Sequence, residues 1–168
     1  MSLRSAGSSR SRSTPGTPLQ VAVALGSNLG DRHANLEFAV EQLRLLLDDL
    51  KVSGFVETAP FGVGPQPAFL NGAAIGTSRA APRKLLDALL AIEREAGRER
   101  PFPGAARTLD LDLILVGDTV LDQPGLQLPH PRFRERRFVL EPLAEVAPAM
   151  TDPVTGRTIR DLLAQCKP

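Results

Sequence analysis

Cysteine, tryptophan and tyrosine are scarce in this sequence of 168 residues, which has one cysteine and neither of the two large polar aromatics. The single cysteine, Cys166, excludes an intrachain disulfide and a zinc cluster with several cysteine ligands, and it favours a reducing, cytoplasmic compartment. There are only two histidines, His33 and His130, so a cluster of histidine ligands is excluded as well.

Net charge and long apolar runs are also lacking. The 20 basic and 19 acidic side chains nearly cancel, so the chain has no global field that would hold it on nucleic acid or an anionic membrane. No run approaches the roughly 18 apolar residues that a membrane-spanning helix needs. We therefore expect no nucleic-acid partner, no membrane partner and a monomer, and any anion site must be local.

The first 18 residues are rich in serine, arginine, glycine and proline and contain no apolar segment of the kind found in secretory signals. They are predicted to be a disordered leader, and residues 19–168 a single domain. A hydrophobic content of 42% is sufficient for a core without a metal or a disulfide.

Hydrophobic periodicity in the rest of the chain separates helices from strands. Asp31 is a plausible N-cap, and Leu36, Val40, Leu43 and Leu47 follow it at helical spacing. The patterns predict strands at 20–25, 51–58, 69–77 and 108–116, and helices at 32–48, 82–96 and 158–165. This order is β-α-β-β-α-β with a C-terminal extension, an α+β ferredoxin-like sandwich with two helices on one face of a mainly antiparallel sheet and an open second face.

The strand predicted at 108–116 carries two acids. Its leucines at 109, 111, 113 and 115 alternate with Asp110 and Asp112, so both carboxylates project from one side of the strand. Two carboxylates in this arrangement suit magnesium, which also takes water and substrate phosphates as ligands. Acids on a solvated strand edge are the competing interpretation.

Arginines flank these acids on both sides in the sequence. Guanidinium groups bind phosphate through paired hydrogen bonds, so the combination of two acids with flanking arginines favours a magnesium-dependent phosphoryl-transfer enzyme. The alternative is ion pairing with Glu93, Glu95, Glu99 and Glu135. We assign surface roles to Arg100, Arg132 and Arg134. The remaining arginines are Arg98, Arg107, Arg136 and Arg137.

Five short segments occur in an order that is familiar from one enzyme family. They are Gly26-Ser27-Asn28-Leu29-Gly30, Glu57-Thr58-x-Pro60, Phe69-Leu70-Asn71, Arg107-Thr108-Leu109-Asp110-Leu111-Asp112 and Pro129-His130-Pro131. Together they resemble 6-hydroxymethyl-7,8-dihydropterin pyrophosphokinases over about residues 20–160. The resemblance implies transfer of the β,γ-diphosphate of ATP to the hydroxymethyl group of a reduced pterin in folate biosynthesis, with two magnesium ions and release of AMP.

The resemblance also implies roles for individual residues. Asp110 and Asp112 match the metal-binding carboxylates, and Arg98 and Arg107 match arginines that act on the triphosphate. Further ATP contacts are expected from Glu93, His130 and Arg136. Residues in the place of pterin contacts are Thr58, Phe69, Asn71 and Phe138.

Each pterin assignment has a structural competitor. Phe69 and Phe138 could pack in the core, as aromatics on strands usually do, and Thr58 could simply end its strand. Asn71 lies in an apolar strand and needs a hydrogen-bond partner, which is either a ligand or the backbone of a loop.

Two loops rich in proline and glycine, at 60–67 and 99–106, are predicted lids over the site. The second departs from the family pattern, because many relatives have glycine and proline immediately before the residue that matches Arg107, so we assign no role to Phe102. Two other functions stay open at this point: a magnesium-dependent nucleotidyltransferase and a non-enzymatic ferredoxin-like ligand-binding module.

Overall fold

The computed structural model describes residues 16–59, 66–98 and 105–168. The predicted leader therefore lies almost entirely outside the described residues, as does most of each predicted lid. The helices are α1 (Arg32–Leu46), α2 (Pro82–Glu95), α3 (Arg137–Val146) and α4 (Ile159–Gln165). The strands are β1 (Leu19–Ser27), β2 (Asp48–Val52), β3 (Val56–Thr58), β4 (Phe69–Ser78), β5 (Asp110–Val116), β6 (Leu121–Gln123) and β7 (Leu126–Leu128).

The main sheet is antiparallel throughout, with strand order β2-β4-β1-β5 and with β3 paired to β4 beyond the end of β2. This is the predicted ferredoxin-like order, and the α+β fold class is confirmed. A separate hairpin is formed by β6 and β7. Within the described ranges, no helix is long and apolar enough to cross a membrane.

Local chemistry explains where the first two helices begin and end. The carboxylate of Asp31 accepts the Ala34 N–H at 3.0 Å, the hydrogen bond of an N-cap. Pro82 opens α2, where a missing N–H costs nothing, and Gly97, with φ of +81°, follows its end. All four apolar residues of the predicted α1 stripe are buried, although the helix ends at Leu46 and not at residue 48.

The prediction of one strand over 51–58 is wrong, because β2 and β3 are separate. At Ser53 the backbone N–H donates to the Ala73 carbonyl, while the Ser53 hydroxyl accepts the Ala73 N–H at 2.9 Å in place of a backbone carbonyl. The next residue, Gly54, donates its N–H to Glu145 on α3. A side chain that replaces a ladder acceptor therefore interrupts the strand.

The prediction of an open second sheet face is also wrong. Helices α1 and α2 cover one face over a core that includes Leu36, Leu43, Leu85 and Leu89. The other face carries a second core, in which Val139 and Leu143 of α3 and Ile159 of α4 pack on small residues of the sheet. The C-terminal segment is thus a third layer that covers part of the sheet.

Strand β5 does not keep the predicted alternation to its end. Leu113 pairs with Val23, but Leu115 pairs with Ala22, so Ile114 is an extra residue in the register. This bulge moves Leu115 to the second core, while Leu109, Leu111 and Leu113 stay in the first. Asp110 and Asp112 precede the bulge and keep the predicted face, opposite the leucines.

Candidate active site

Asp110 and Asp112 lie on the sheet face that carries the second core, near the N-terminus of α3. Asp110 pairs with Gly26 and Asp112 with Ala24 on the central strand β1. Gly26 also pairs with Asn71 on β4, so Asp110, Gly26 and Asn71 form one row across three strands. With strands about 4.8 Å apart, the outer two backbones of this row are separated by about 10 Å.

Arginines surround the two acids. The Arg98 Nη1 donates to Asp110 Oδ1 at 2.9 Å, and the Arg107 Nη1 donates to Asp110 Oδ2 at 2.8 Å. Arg98 also pairs with the buried carboxylate of Glu93 at the end of α2. Arg136 approaches Asp112 less closely, with 3.9 Å between Nη1 and Oδ2. We call Arg107, Asp110, Asp112 and Arg136 the charged end of the site.

Burial changes the protonation of two groups here. It raises the pKa of Asp112 to about 6, with a further contribution from the neighbouring charge of Asp110 and opposition from the arginines. Burial and the charge of Arg136 lower the pKa of His130 to about 4. His130 is therefore neutral at pH 7, and because its Nδ1 accepts the Arg132 N–H, the ring proton is on Nε2.

The other end of the row is neutral. Asn71 is buried, and its Nδ2 donates to the Thr58 hydroxyl on β3. Phe69 lies two residues before Asn71 on the same face of β4, and Phe138 is in the first turn of α3, with its ring centroid 5.7 Å from the Arg136 guanidinium. We call Thr58, Phe69, Asn71 and Phe138 the neutral end.

One cavity of about 650 Å³ joins the two ends. Gly26 forms part of its floor, where an added Cβ would lie 3.3 Å from Asn71 Oδ1 and 3.5 Å from Phe69 Cδ1. The predicted residues on its wall are Thr58, Phe69, Asn71, Arg107, Asp110, Asp112, Arg136 and Phe138. Phe69 and Phe138 are both only partly buried and line this space, and Phe138 also packs against the second core.

Three predicted residues, Glu93, Arg98 and His130, are not on the part of the cavity wall that the described residues form, although His130 is partly exposed. Glu93 and Arg98 form the buried pair that supports Asp110, and His130 is held by its backbone N–H, which donates to the Ile114 carbonyl at 2.9 Å. Of the three arginines assigned to the surface, Arg132 is exposed and also borders the cavity, and Arg134 is partly exposed and forms an ion pair with the buried Asp152. Arg100 and Phe102 lie outside the described residues.

The sequence gives Asn28 only as part of a motif, yet this residue connects the end of β1 to the last two residues of the first predicted lid and to Arg107, which follows the second lid. It is fully buried, and its Nδ2 donates to Gln66 Oε1 at 3.0 Å and to the Pro67 carbonyl at 3.3 Å. Its Oδ1 accepts the Arg107 N–H at 2.7 Å, and its own N–H donates to the Arg107 carbonyl. A polar residue directly after a buried strand was the available signal for this role.

The acids also define what kind of metal the site suits. Within 16–59, 66–98 and 105–168, no group of three or more histidine, cysteine, aspartate or glutamate residues is placed to enclose an ion. Two carboxylates on an open cavity leave the other coordination positions to water and to ligand oxygens, which is the preference of magnesium. The donor set therefore fits magnesium held jointly with a phosphate ligand.

Comparison with known proteins agrees with this geometry. Residues 22–148 match the family described as 7,8-dihydro-6-hydroxymethylpterin-pyrophosphokinase (HPPK). A 2-amino-4-hydroxy-6-hydroxymethyldihydropteridine pyrophosphokinase of Pseudomonas aeruginosa is 43% identical over 149 residues, which are 88% of this chain and 91% of that protein. A protein of the same name from Synechocystis is 43% identical over 85% of this chain and 74% of its own length.

Solved structures agree on the fold. The crystal structure of wild-type Plasmodium falciparum HPPK-DHPS with pteroate matches with a TM-score of 0.72 at 14% identity, covering 91% of this chain and 43% of that chain. A likeness at this identity bears on the fold alone. Taken with the sequence matches, the chain is a member of an ATP-using transferase class. It belongs to the 7,8-dihydro-6-hydroxymethylpterin-pyrophosphokinase family, and the resemblance predicted from sequence is confirmed.

Proposed function

We propose that the cavity binds ATP at its charged end and 6-hydroxymethyl-7,8-dihydropterin at its neutral end. The enzyme transfers the β,γ-diphosphate of ATP to the hydroxymethyl group of the pterin, giving AMP and the pterin diphosphate in folate synthesis. The observation that supports this assignment most is the single cavity that joins acids and arginines to a neutral slot across one sheet face. The two substrates can then lie end to end over Gly26.

Asp110 and Asp112 are the residues that would hold magnesium, and we propose two ions. Ions held by these two carboxylates would supply positive charge that offsets the charge of the phosphates during the transfer. The raised pKa of Asp112 supports this role, because a buried carboxylate beside a second carboxylate gains most from a nearby cation.

The arginines bind and orient the triphosphate. Arg107 and Arg136 line the cavity beside Asp110 and Asp112 respectively, so their guanidinium groups can contact phosphate oxygens while charge develops on the departing AMP. Arg98 acts from behind, held between Glu93 and Asp110. His130, neutral at pH 7, can donate its Nε2 proton to a phosphate oxygen.

The neutral end selects the pterin. The Asn71 amide and the Thr58 hydroxyl offer donors and acceptors for the edge of the pterin ring, and the rings of Phe69 and Phe138 provide flat apolar surfaces for its faces. Most of the catalytic effect is then positioning, because the hydroxymethyl oxygen must lie in line with the bond that breaks.

Product analysis tests this function directly. The protein is incubated with ATP, magnesium and the reduced pterin alcohol, and nucleotides are separated by ion-exchange chromatography. We expect AMP and pterin diphosphate in equal amounts, and none after chelation of magnesium. Release of pyrophosphate instead would indicate a nucleotidyltransferase, and release of neither product would indicate a binding module. Since both ends come from one chain, we also expect a monomer in sedimentation velocity.

A further inference from the structure

Arg134 and Asp152 form an ion pair outside the cavity that the proposed reaction does not use. The Arg134 Nε donates to Asp152 Oδ2 at 2.6 Å and the Nη2 donates to Oδ1 at 2.9 Å, a two-point contact in which the planar guanidinium fixes both position and orientation. The Arg134 guanidinium also lies 4.8 Å from the centroid of the buried Phe133 ring.

Asp152 is a fixed anchor for this contact. Its side chain is fully buried, and besides Arg134 it accepts the Val154 N–H at 3.0 Å and the Thr155 hydroxyl at 2.7 Å. Burial alone would raise the pKa of Asp152, but the hydrogen bonds from Arg134 and Thr155 outweigh it and lower the pKa to about 2. The carboxylate therefore stays ionised, held by a tight turn whose Gly156 N–H donates to the Asp152 carbonyl.

Arg134 belongs to a short segment that forms one wall of the cavity. A single 3₁₀ turn, Phe133–Glu135, connects His130 to α3, and Arg132 and Arg136 on either side of it line the cavity. One end of this segment is fixed where the His130 N–H meets the Ile114 carbonyl. A turn of three residues has little stability of its own, so the direction of Arg136 depends on what holds the turn.

We propose that the Arg134–Asp152 pair is a positioning device, which ties the C-terminal turn to the cavity wall and so aims Arg136 at the triphosphate. Arg134 and Arg136 are two residues apart on this irregular segment, and the first is anchored outward while the second faces Asp112. Loss of the anchor lets the turn shift, and a shift of about 1 Å at a charged contact is enough to weaken binding. The inference rests on the proposed role of Arg136 in binding ATP.

The test compares binding of the two substrates separately. The variants are Arg134→Gln, Asp152→Asn and the conservative Arg134→Lys, with Leu162→Ala as a control that weakens the same C-terminal core without touching the pair. Calorimetry measures the Kd for magnesium with α,β-methylene ATP, and separately the Kd for the pterin alcohol. Thermal unfolding is recorded for every variant.

We expect Arg134→Gln and Asp152→Asn to raise the Kd for the nucleotide by about tenfold and to change that for the pterin by less than about twofold. Arg134→Lys should fall between these variants and wild type, because it keeps the charge and loses the two-point contact. Leu162→Ala should lower the melting temperature and leave both Kd values unchanged.

Two results would overturn the positioning role: an unchanged nucleotide Kd in folded Arg134 variants, or the same increase in Leu162→Ala. If Arg134→Gln does not fold, Arg134→Lys decides the outcome. A further variant, Arg136→Gln, distinguishes a failure of the positioning role from a failure of the proposed function. If that variant binds nucleotide like wild type, the assignment of Arg136 is wrong. If Arg136→Gln binds nucleotide more weakly and Arg134→Gln binds it like wild type, only the positioning role of the Arg134–Asp152 pair is refuted.

Discussion

The two ends of the cavity are built by different forces on the same sheet. The charged end is held by ion pairs that converge from α2, β5 and the segment before α3, and its groups include a carboxylate whose pKa is raised. The neutral end is held by the pairing of β3 with β4 and by the hydrogen bond between Asn71 and Thr58, and it includes the rings of Phe69 and Phe138. Charges act over several ångströms, whereas an amide contact acts only at hydrogen-bond distance. The charged end should therefore control turnover and nucleotide affinity, and the neutral end the affinity for the pterin.

The largest effect is expected from Asp112→Asn. Removing one of two carboxylates that would hold magnesium should lower kcat by roughly 1,000-fold. At pH 7 the stability of the folded protein should instead increase in this variant. Because the pKa of Asp112 is about 6 when folded and the ordinary value is 3.8, the folded state loses stability as pH rises from about 4 to about 6. Asp112→Asn should lack that loss.

Thermal unfolding in the presence of a chelator, measured at pH 4 and pH 7, checks the second half of this expectation. Asp118→Asn, on an exposed turn, is a matched control for a change of net charge. Near-normal turnover in folded Asp112→Asn would refute the metal assignment.

Arg107→Ala should lower kcat by roughly 100-fold and leave the Kd for the pterin close to that of wild type. The physical reason is that Arg107 forms an ion pair with Asp110 at 2.8 Å and, among the residues the structure describes, makes no hydrogen bond to the neutral end. Steady-state kinetics and equilibrium binding separate the two quantities. An equal loss in kcat and pterin affinity would mean that the two ends are not independent.

Asn71→Ala should weaken binding of the pterin and leave binding of the nucleotide nearly unchanged. Loss of the amide removes a buried contact to the ring edge and leaves the Thr58 hydroxyl without its donor, so the Kd for the pterin should rise by roughly tenfold. The Kd for magnesium with α,β-methylene ATP should stay within about twofold of wild type. A nucleotide affinity that falls as far as the pterin affinity contradicts the division into two ends.

The smallest effect is expected where the ends meet. In Gly26→Ala the added methyl group would lie 3.3 Å from Asn71 Oδ1 and narrow the neutral end, which should raise the Kd for the pterin by about threefold. Gly54→Ala is the control, since its Cβ would meet only the Glu145 carboxylate at 3.8 Å. Equal effects of the two alanines would show that the floor at Gly26 is not in contact with the substrate.

Periodicity predicted the parts of the molecule that depend on local chemistry. The α1 stripe, the start of α2 at Pro82 and the side on which Asp110 and Asp112 project could all be predicted from spacing. Spacing could not predict features that depend on contacts between residues distant in the sequence. The break at Ser53 depends on a hydroxyl that meets Ala73, and the bulge at Ile114 depends on the register against β1.

The site was predicted to a similar extent. Eight of the residues predicted from residue type and motif order line one cavity, and their roles there remain predictions. The positions of Arg134 and Asn28 could not be found in this way, because each side chain bonds to partners 18 to 79 residues away in the chain. An arginine in a run of arginines carries no local sign of which one meets a buried acid.

The two hydrophobic cores lie at different distances from the cavity, so they can be altered with different consequences. The core beneath α1 and α2 contacts the leucine side of β5, and the carboxylates proposed to hold magnesium project from the opposite side of that strand. Engineered repacking beneath α1 and α2 can therefore raise heat tolerance with little change in the catalytic geometry. The core beneath α3 and α4 shares its sheet face with the cavity, so repacking at Val139, which belongs to this core and also lines the cavity, would alter the enzyme as well as the scaffold.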